Sequence, residues 1–405
     1  MLQGQGRLSD AEPLYREALA GCRSALGDEH AYTLTACGNL AGLLQSQGKL
    51  AEAEPLYRHA LAGARRKYGD RHPETLIAIN NVAFLLQGRG ELAEAESLYR
   101  EALEGFRTRL GDEHVDTLAA IVNLAHVELA LGKVAEAEPL FREALAACRA
   151  KLDGGHPATL LAVNGLAQLL LARGAVSDAE PLFRESLEGF LATLGEQSPN
   201  TLTARVNLAH VLLAQGKAAE AEPLFRDALE TGRAELGPSH PLTLAALNGL
   251  SHLLRVRGQP AQAEPLLREA LEGYRAQLGP GHPDTLTLAG NLASLLQVQG
   301  KHAEAEASYR ETIAVCRERL GQRHPKTLSI LGNFAHLLED QGQLAEAGAL
   351  FEEAFAGLRV TSGDAHPDTR ATLDALIALC RRRHALEPGG RHDARAAELE
   401  ALRMR

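Results

Sequence analysis

Histidines, cysteines, arginine–glutamate pairs and asparagines are the residues whose spacing could carry chemistry. Eight histidines, His30, His72, His114, His156, His240, His282, His324 and His366, fall on one 42-residue grid, with Ser198 at the remaining node. Imidazole is a common metal ligand. Zinc, however, needs its ligands about 2.0 Å from a single ion. Histidines one repeat apart, with two packed helices between them, stand roughly 10–20 Å from each other. Capping and packing at a turn is the expected role. Cys22, Cys148 and Cys316 share one column, three or four repeats apart, and Cys37 and Cys380 lie near opposite ends. A disulfide needs Cα atoms about 4.4–6.8 Å apart, so all five read as buried small hydrophobes. There is no P-loop, Rossmann glycine pattern, H-E-x-x-H, C-x-x-C or G-x-S-x-G. The carboxylates recur in register, whereas catalysis needs a unique acid/base pair. No catalytic residue, cofactor, metal or small-molecule substrate is expected.

The elements that position these residues follow from a second grid. Gly6, Gly48, Gly90, Gly132, Gly174, Gly216, Gly258, Gly300 and Gly342 repeat with the same 42-residue period, without insertion or deletion. A strict period of this length means stacked supersecondary units. In the unit from His282, Leu286, Ala289, Leu292, Ala293 and Leu296 follow the three-four spacing of an amphipathic helix, which Gly300 stops. A second helix follows, with Ala305, Tyr309, Thr312, Ile313 and Cys316 inward, and Gly321 stops that one. Pro325 suits the first turn of the next helix. Each unit is therefore a helix A, a Gly turn, a longer helix B and a Gly-to-Pro turn. Short connections make the helices antiparallel neighbours. The expected organisation is an incomplete leading repeat (1–29, helix B only), eight 42-residue repeats (30–365), and a degenerate ninth repeat with a C-terminal cap (366–405).

Helix B carries Glu–Arg pairs at i,i+4, such as Glu12/Arg16, Glu96/Arg100 and Glu264/Arg268. This is the favourable order, and the pairs read as a solvated supporting face. Pro13, Pro55, Pro139, Pro181, Pro223 and Pro265 recur two residues before the inward aromatic or leucine of helix B, which predicts one lost backbone hydrogen bond and a slight bend.

Ala289-x2-Leu292-Ala293-x2-Leu296 followed by Ala305-x3-Tyr309 resembles the tetratricopeptide signature, with small residues in its Trp slot. The 42-residue unit, with HPxTL, NLAxLLxxQGK and AEAExLYREAL, is similar to the kinesin light chain type of that repeat. The resemblance covers nearly the whole chain. It implies an all-α, right-handed superhelical solenoid of antiparallel helix hairpins, with helix A lining a concave groove. No sustained heptad region accompanies it.

On helix A an asparagine recurs at Asn39, Asn81, Asn123, Asn207, Asn291 and Asn333. Gly165 and Gly249 replace it in two units, where Asn164 and Asn248 stand one residue earlier, as Asn80 also does. Asparagine is mediocre inside a helix. Its amide both donates and accepts, so it can pair with the backbone of an extended peptide or bridge to the neighbouring helix. The resemblance implies the first role. Three residues further on the same face come Phe84, His126, Gln168, His210, His252 and His336, a polar groove wall. Of the other groove positions, only Arg255 and Glu339 are charged, and Leu129, Leu171 and Leu213 make repeats three to five the most apolar. A Lys/Arg clamp for a peptide C-terminus is missing, so an internal segment is the expected ligand.

Hydrophobic residues are 45%, charged residues 23% and aromatics 4%, which fits a helical Leu/Ala core. The net charge of −10 opposes nucleic acid and anionic membrane as partners. The basic residues Arg381, Arg382, Arg383, Arg391, Arg395, Arg403 and Arg405 cluster locally and read as solubilising surface. No run of eighteen apolar residues and no leader pattern is present, and a cytoplasmic setting is expected. The reading is a non-catalytic scaffold or adaptor that binds an extended or helical segment of a partner protein. Other readings are a motor cargo adaptor, a self-associating array, or the sensor part of a larger signalling protein.

Overall fold

The computed structural model describes residues 8–364, 366–386 and 392–403; Gly6, Arg391 and Arg405 lie outside them. Helices A are α2 (Ala31–Ser46), α4 (Pro73–Gly88), α6 (Val115–Ala130), α8 (Pro157–Ala172), α10 (Pro199–Ala214), α12 (Pro241–Val256), α14 (Pro283–Val298), α16 (Pro325–Asp340) and α18 (Pro367–Leu386). Helices B are α1 (Leu8–Leu26), α3 (Leu50–Tyr68), α5 (Leu92–Leu110), α7 (Val134–Lys151), α9 (Val176–Leu194), α11 (Ala218–Thr231), α13 (Pro260–Leu278), α15 (His302–Arg319) and α17 (Leu344–Thr361), followed by a short α19 (His392–Arg403). Among the described residues helix is the only regular structure. None is long and apolar enough to cross a membrane. The chain forms two compact units, Met1–Leu253 and Leu254–Arg405. Within each, antiparallel hairpins stack as a solenoid.

Both ends of helix A are built from grid residues. His72, in extended backbone, accepts through Nδ1 the backbone N–H of Glu74 at 3.2 Å, and His114 and His282 do the same for Asp116 and Asp284. This is an N-cap made by imidazole. At the other end Gly90 takes φ +78°, its N–H donates to Gln87 O, and Glu91 N–H donates to Leu86 O. That pattern closes the helix and needs a residue without Cβ. Pro55 sits in the second turn of α3.

The threonine of HPxTL has a role the sequence analysis missed. Thr33, Thr75, Thr117, Thr201, Thr243 and Thr327 are buried, and each donates its hydroxyl at 2.7–2.9 Å to the carbonyl of the turn glycine six residues earlier. The bond ties the turn between repeats to helix A.

Tyr99, Phe141, Phe183, Phe225, Tyr309 and Phe351 form a fully buried column on helix B. Each such side chain is worth about 1.5–3 kcal/mol of burial. A glycine column sets how closely B approaches A. A Cβ on Gly105 would stand 2.3 Å from Leu76 Cδ2, and Gly63, Gly189 and Gly357 meet Leu34, Leu160 and Leu328 equally tightly. The column is Ala147 in α7, Thr231 in α11 and Val315 in α15, and after Thr231 the last turn, Gly232–Leu236, takes π form. Cys37, Cys148, Cys316 and Cys380 are buried and Cys22 half-buried, all as free thiols. Burial pushes the four buried thiols up, away from the reactive thiolate.

Candidate binding face on helices A

Ion pairs that reach further than i,i+4 tie the helices B to one another and to the turns between helices A and B. Arg16 pairs with Glu12 at 2.9 Å on its own helix and with Glu52, one repeat on, at 2.8 Å. Lys49 donates to Glu12 at 2.7 Å and, with Arg16, holds that carboxyl at about 2 despite some burial. Lys217 and Arg184 do the same for Glu180. The 42-residue period displays each column but not which columns touch, so these bridges were invisible in the sequence. The C-terminal arginines are likewise engaged within the chain. Arg395 binds Glu352 through two 2.8 Å bonds, Arg403 reaches Asp374, Arg381 reaches Glu400 and Arg382 reaches Glu339.

The asparagines divide into three groups. Asn123 donates to Asn80 Oδ1 at 3.2 Å and Asn207 to Asn164 Oδ1 at 3.1 Å, so these four amides bridge adjacent helices A. Asn39, Asn291 and Asn333 are exposed. Asn81 and Asn248 are half-buried. The glycine substitutes have a steric reason. A Cβ on Gly165 would stand 2.2 Å from Phe141 Cε1, and one on Gly249 would meet Phe225 equally closely.

The histidines of the expected wall are partly packing residues. His126 lies edge-on to Phe141 (4.9 Å, 89°), His210 to Phe225 (5.0 Å, 76°) and His336 to Phe351 (4.8 Å, 76°). The Nδ1 of His126 lies 2.8 Å from Val122 O. Burial lowers His126 and, with a smaller effect from His252, brings His210 down to about 4. Both therefore remain neutral at ordinary pH. His252 and His336 are exposed, and Gln168 is half-buried.

The apolar surface falls partly elsewhere than expected. Leu213 is buried and Leu129 and Leu171 are half-buried, because their column lies in the last turn of helix A. Phe84 (53% exposed) and Ile77 (40%) of the second repeat carry it, together with Leu161 (38%) of the fourth, within the expected stretch. Beside Ile77 a hollow of about 140 Å³ opens between α2, α3 and α4. Asn39 and Asn81 line it, together with Ile77, Tyr57 and Tyr68. It exists because Gly38 and Ala64 stand in columns that hold Asn80 and Phe106 one repeat later. That exchange of small for large was the signal available in the sequence. Burial pushes Tyr57 up to about 12, so the hollow presents a neutral phenol. The arrangement offers two amides beside a recess of mixed character, with Thr35 and Glu74 among its lining, which suits a backbone with one inserted side chain.

A tetratricopeptide repeat family profile matches residues 1–66, 35–108, 116–192, 200–276, 245–318 and 284–359. No curated protein matches the chain. Among solved structures, a Podosopora anserina putative kinesin light chain with nearly identical TPR-like repeats is 27% identical over 50% of this chain and 95% of that chain, with a TM-score of 0.39. The human IFIT1 dimer with PPP-AAAA is 15% identical over 99% of this chain and 84% of that one, with a TM-score of 0.60. A Rap protein complexed with Competence and Sporulation Factor is 13% identical, covering 86% and 98%, with a TM-score of 0.55. The last two share the fold.

Proposed function

The chain belongs to the tetratricopeptide repeat family, and on that premise we propose that it is a non-catalytic scaffold that binds a segment of a partner protein on the face made by helices A. The observation that carries this reading is the hollow between α2, α3 and α4. Its volume of about 140 Å³ is near that of an engineered cavity of about 150 Å³ that accepts benzene. One aromatic or branched aliphatic side chain fits it. The amides of Asn39 and Asn81 then donate to and accept from the backbone on either side. Asn291 and Asn333 present the same amide, exposed, further along the chain. The net charge of −10 favours a protein partner over nucleic acid. The five free cysteines fit a cytoplasmic setting.

A displayed random-peptide library panned on the full chain tests the reading. Enriched peptides should share one large apolar residue. They should lose binding to the Asn39→Ala, Asn81→Ala double variant, whose fold is checked by circular dichroism. Peptides that bind both proteins equally place recognition elsewhere and refute it.

A further inference from the structure

On the helix-B side, arginines lace neighbouring repeats together. Arg16, Arg184, Arg268 and Arg310 each hold a glutamate on their own helix and reach a second on the next helix B: Glu52 at 2.8 Å, Glu220 at 3.2 Å, Glu304 at 3.0 Å and Glu346 at 3.0 Å. Arg58 reaches Glu94 at the longer 3.6 Å, Arg142 is paired with Glu138 on its own helix, and Arg100 of α5 departs from the pattern in another way. Its second carboxylate is Glu128 of α6, beneath it, and not Glu136 of α7. Glu128 stands in a column filled by Leu44, Leu86, Leu170, Leu212, Leu254, Leu296 and Leu338 elsewhere. It is 1% exposed, and its Oε2 has no hydrogen-bond partner.

With Arg100 turned inward, the cleft between α5 and α7 stays open as a cavity of about 540 Å³. Glu128 and Leu124 form its floor, Leu103 and Leu140 its walls, and Glu104 and Glu136 lie on its rim. Both cations that line it have ion-pair partners, although the buried Nε of Arg107 makes no hydrogen bond. Arg100 is held by Glu96 and Glu128, and Arg107 by Asp112 and Glu143. Among the described residues Glu104 and Glu136 form no ion pair within 4.0 Å. The pocket thus offers an apolar throat, two rim carboxylates that lack a direct ion-pair partner and a buried carboxylate oxygen that lacks a donor.

We propose that this pocket receives a lysine or arginine side chain from a partner protein, at a site separate from the helix-A face. The aliphatic stem covers Leu103, Leu124 and Leu140 while the charged head meets the carboxylates, as long cationic side chains do at apolar surfaces. A neutral or anionic occupant would leave the rim charges uncompensated. A bare metal ion would leave the apolar throat empty, and among the described residues no three metal-ligating side chains converge.

Fluorescence anisotropy of a labelled heptapeptide, Gly-Gly-Lys-Leu-Lys-Gly-Gly, against the full chain tests the proposal, with the Glu-for-Lys peptide as its counterpart. The lysine peptide should bind and the glutamate peptide should not. Glu136→Gln should weaken binding about tenfold, as expected for one lost charge-assisted bond. Glu128→Leu should weaken it at least as much, because Arg100 is then free to bridge to Glu136 and close the cleft. Glu220→Gln removes the same column's carboxylate two repeats on, where Arg184 already bridges, and should change binding less than about twofold. Equal effects of Glu136→Gln and Glu220→Gln would reduce the binding to bulk charge and overturn the proposal, as would failure of the lysine peptide to bind. Glu136→Gln alters an exposed side chain, so it decides the matter even if Glu128→Leu fails to fold.

Discussion

Arg205 offers a test in which removing an ion pair should stabilise the protein. It stands in a core column of α10 whose other members are Cys37, Ile79, Ile121, Val163, Leu247, Ala289, Leu331 and Leu373, all buried. Arg205 is itself only 8% exposed. Its ion-pair partner is Glu196 at 4.0 Å, which is 78% exposed. The reason for the arginine lies across the interface. In other repeats the guanidinium comes from helix B: Arg23 to Asp28 at 2.9 Å, Arg65 to Asp70 at 3.3 Å, Arg107 to Asp112 at 3.2 Å and Arg359 to Asp364 at 2.7 Å. In α9 that slot is Leu191, and the arginine has moved to the facing helix. A pair with so exposed a partner is worth at most about 1 kcal/mol. Taking a guanidinium out of water costs several kcal/mol, and a leucine buried in its place gains about 2 kcal/mol. Replacing a buried ion pair by an apolar residue of similar volume stabilises by up to about 1–4 kcal/mol, so Arg205→Leu should stabilise the α9–α10 region within that range. Adding Leu191→Arg should restore the Glu196 pair at the surface and contribute up to about 1 kcal/mol more. The assay is native-state hydrogen exchange of α10 amides across a urea series, since a repeat array need not unfold in one step. A loss of more than about 1 kcal/mol on Arg205→Leu would refute the reasoning and make the 4.0 Å pair a true anchor.

Three further outcomes are expected. Gly21→Ala, with nothing within 4 Å of the new methyl, should stabilise α1 by up to about 1 kcal/mol, whereas Gly105→Ala, 2.3 Å from Leu76, should destabilise by about 1–2 kcal/mol; equal melting shifts would contradict the close-approach account. Thr117→Val keeps shape but leaves Gly111 O without its donor, and should cost about 1–3 kcal/mol, read as faster exchange at the α5–α6 turn. His210, held down at about 4 against about 6.5 unfolded, takes up its proton first in the unfolded chain; its contribution is complete above pH 6.5 and falls by about 3 kcal/mol as pH drops through 4. His210→Gln, which supplies the residue found at Gln168, should flatten urea midpoints over that window.

The helix pairs, their boundaries and the histidine caps were legible in the sequence, because a strict period places each cap and stop at a fixed offset. The threonine bond was missed because a buried hydroxyl in HPxTL looks like any other helix-start residue. The Gly63, Gly105, Gly189 and Gly357 column was missed because its reason is a neighbouring leucine that no spacing rule pairs with it. The candidate face was half legible. The asparagine grid could be counted, but whether Asn80 meets Asn123 or solvent depends on the offset between adjacent helices. Glu128 and Arg205 were the most visible exceptions in their columns. They were not singled out because a charge in a leucine column has meaning only once its neighbours are known.

The bridges that run 36 or 37 residues forward have a consequence for how such a chain can lengthen. Each repeat carries on one edge the carboxylate and on the other the cation that its neighbour requires. Cutting out or copying one 42-residue block leaves a matched seam wherever the flanking columns are standard, so copy number is a tunable variable and not a fixed property of the fold. The seams at Arg100–Glu128 and Leu191–Arg205 are different, since each distributes one exchange over two helices. A recombination that separates Leu191 from Arg205 would produce either two guanidinium groups at one junction or none. Those junctions act as registration marks in an otherwise interchangeable series, and they fix the order in which its middle repeats must be read.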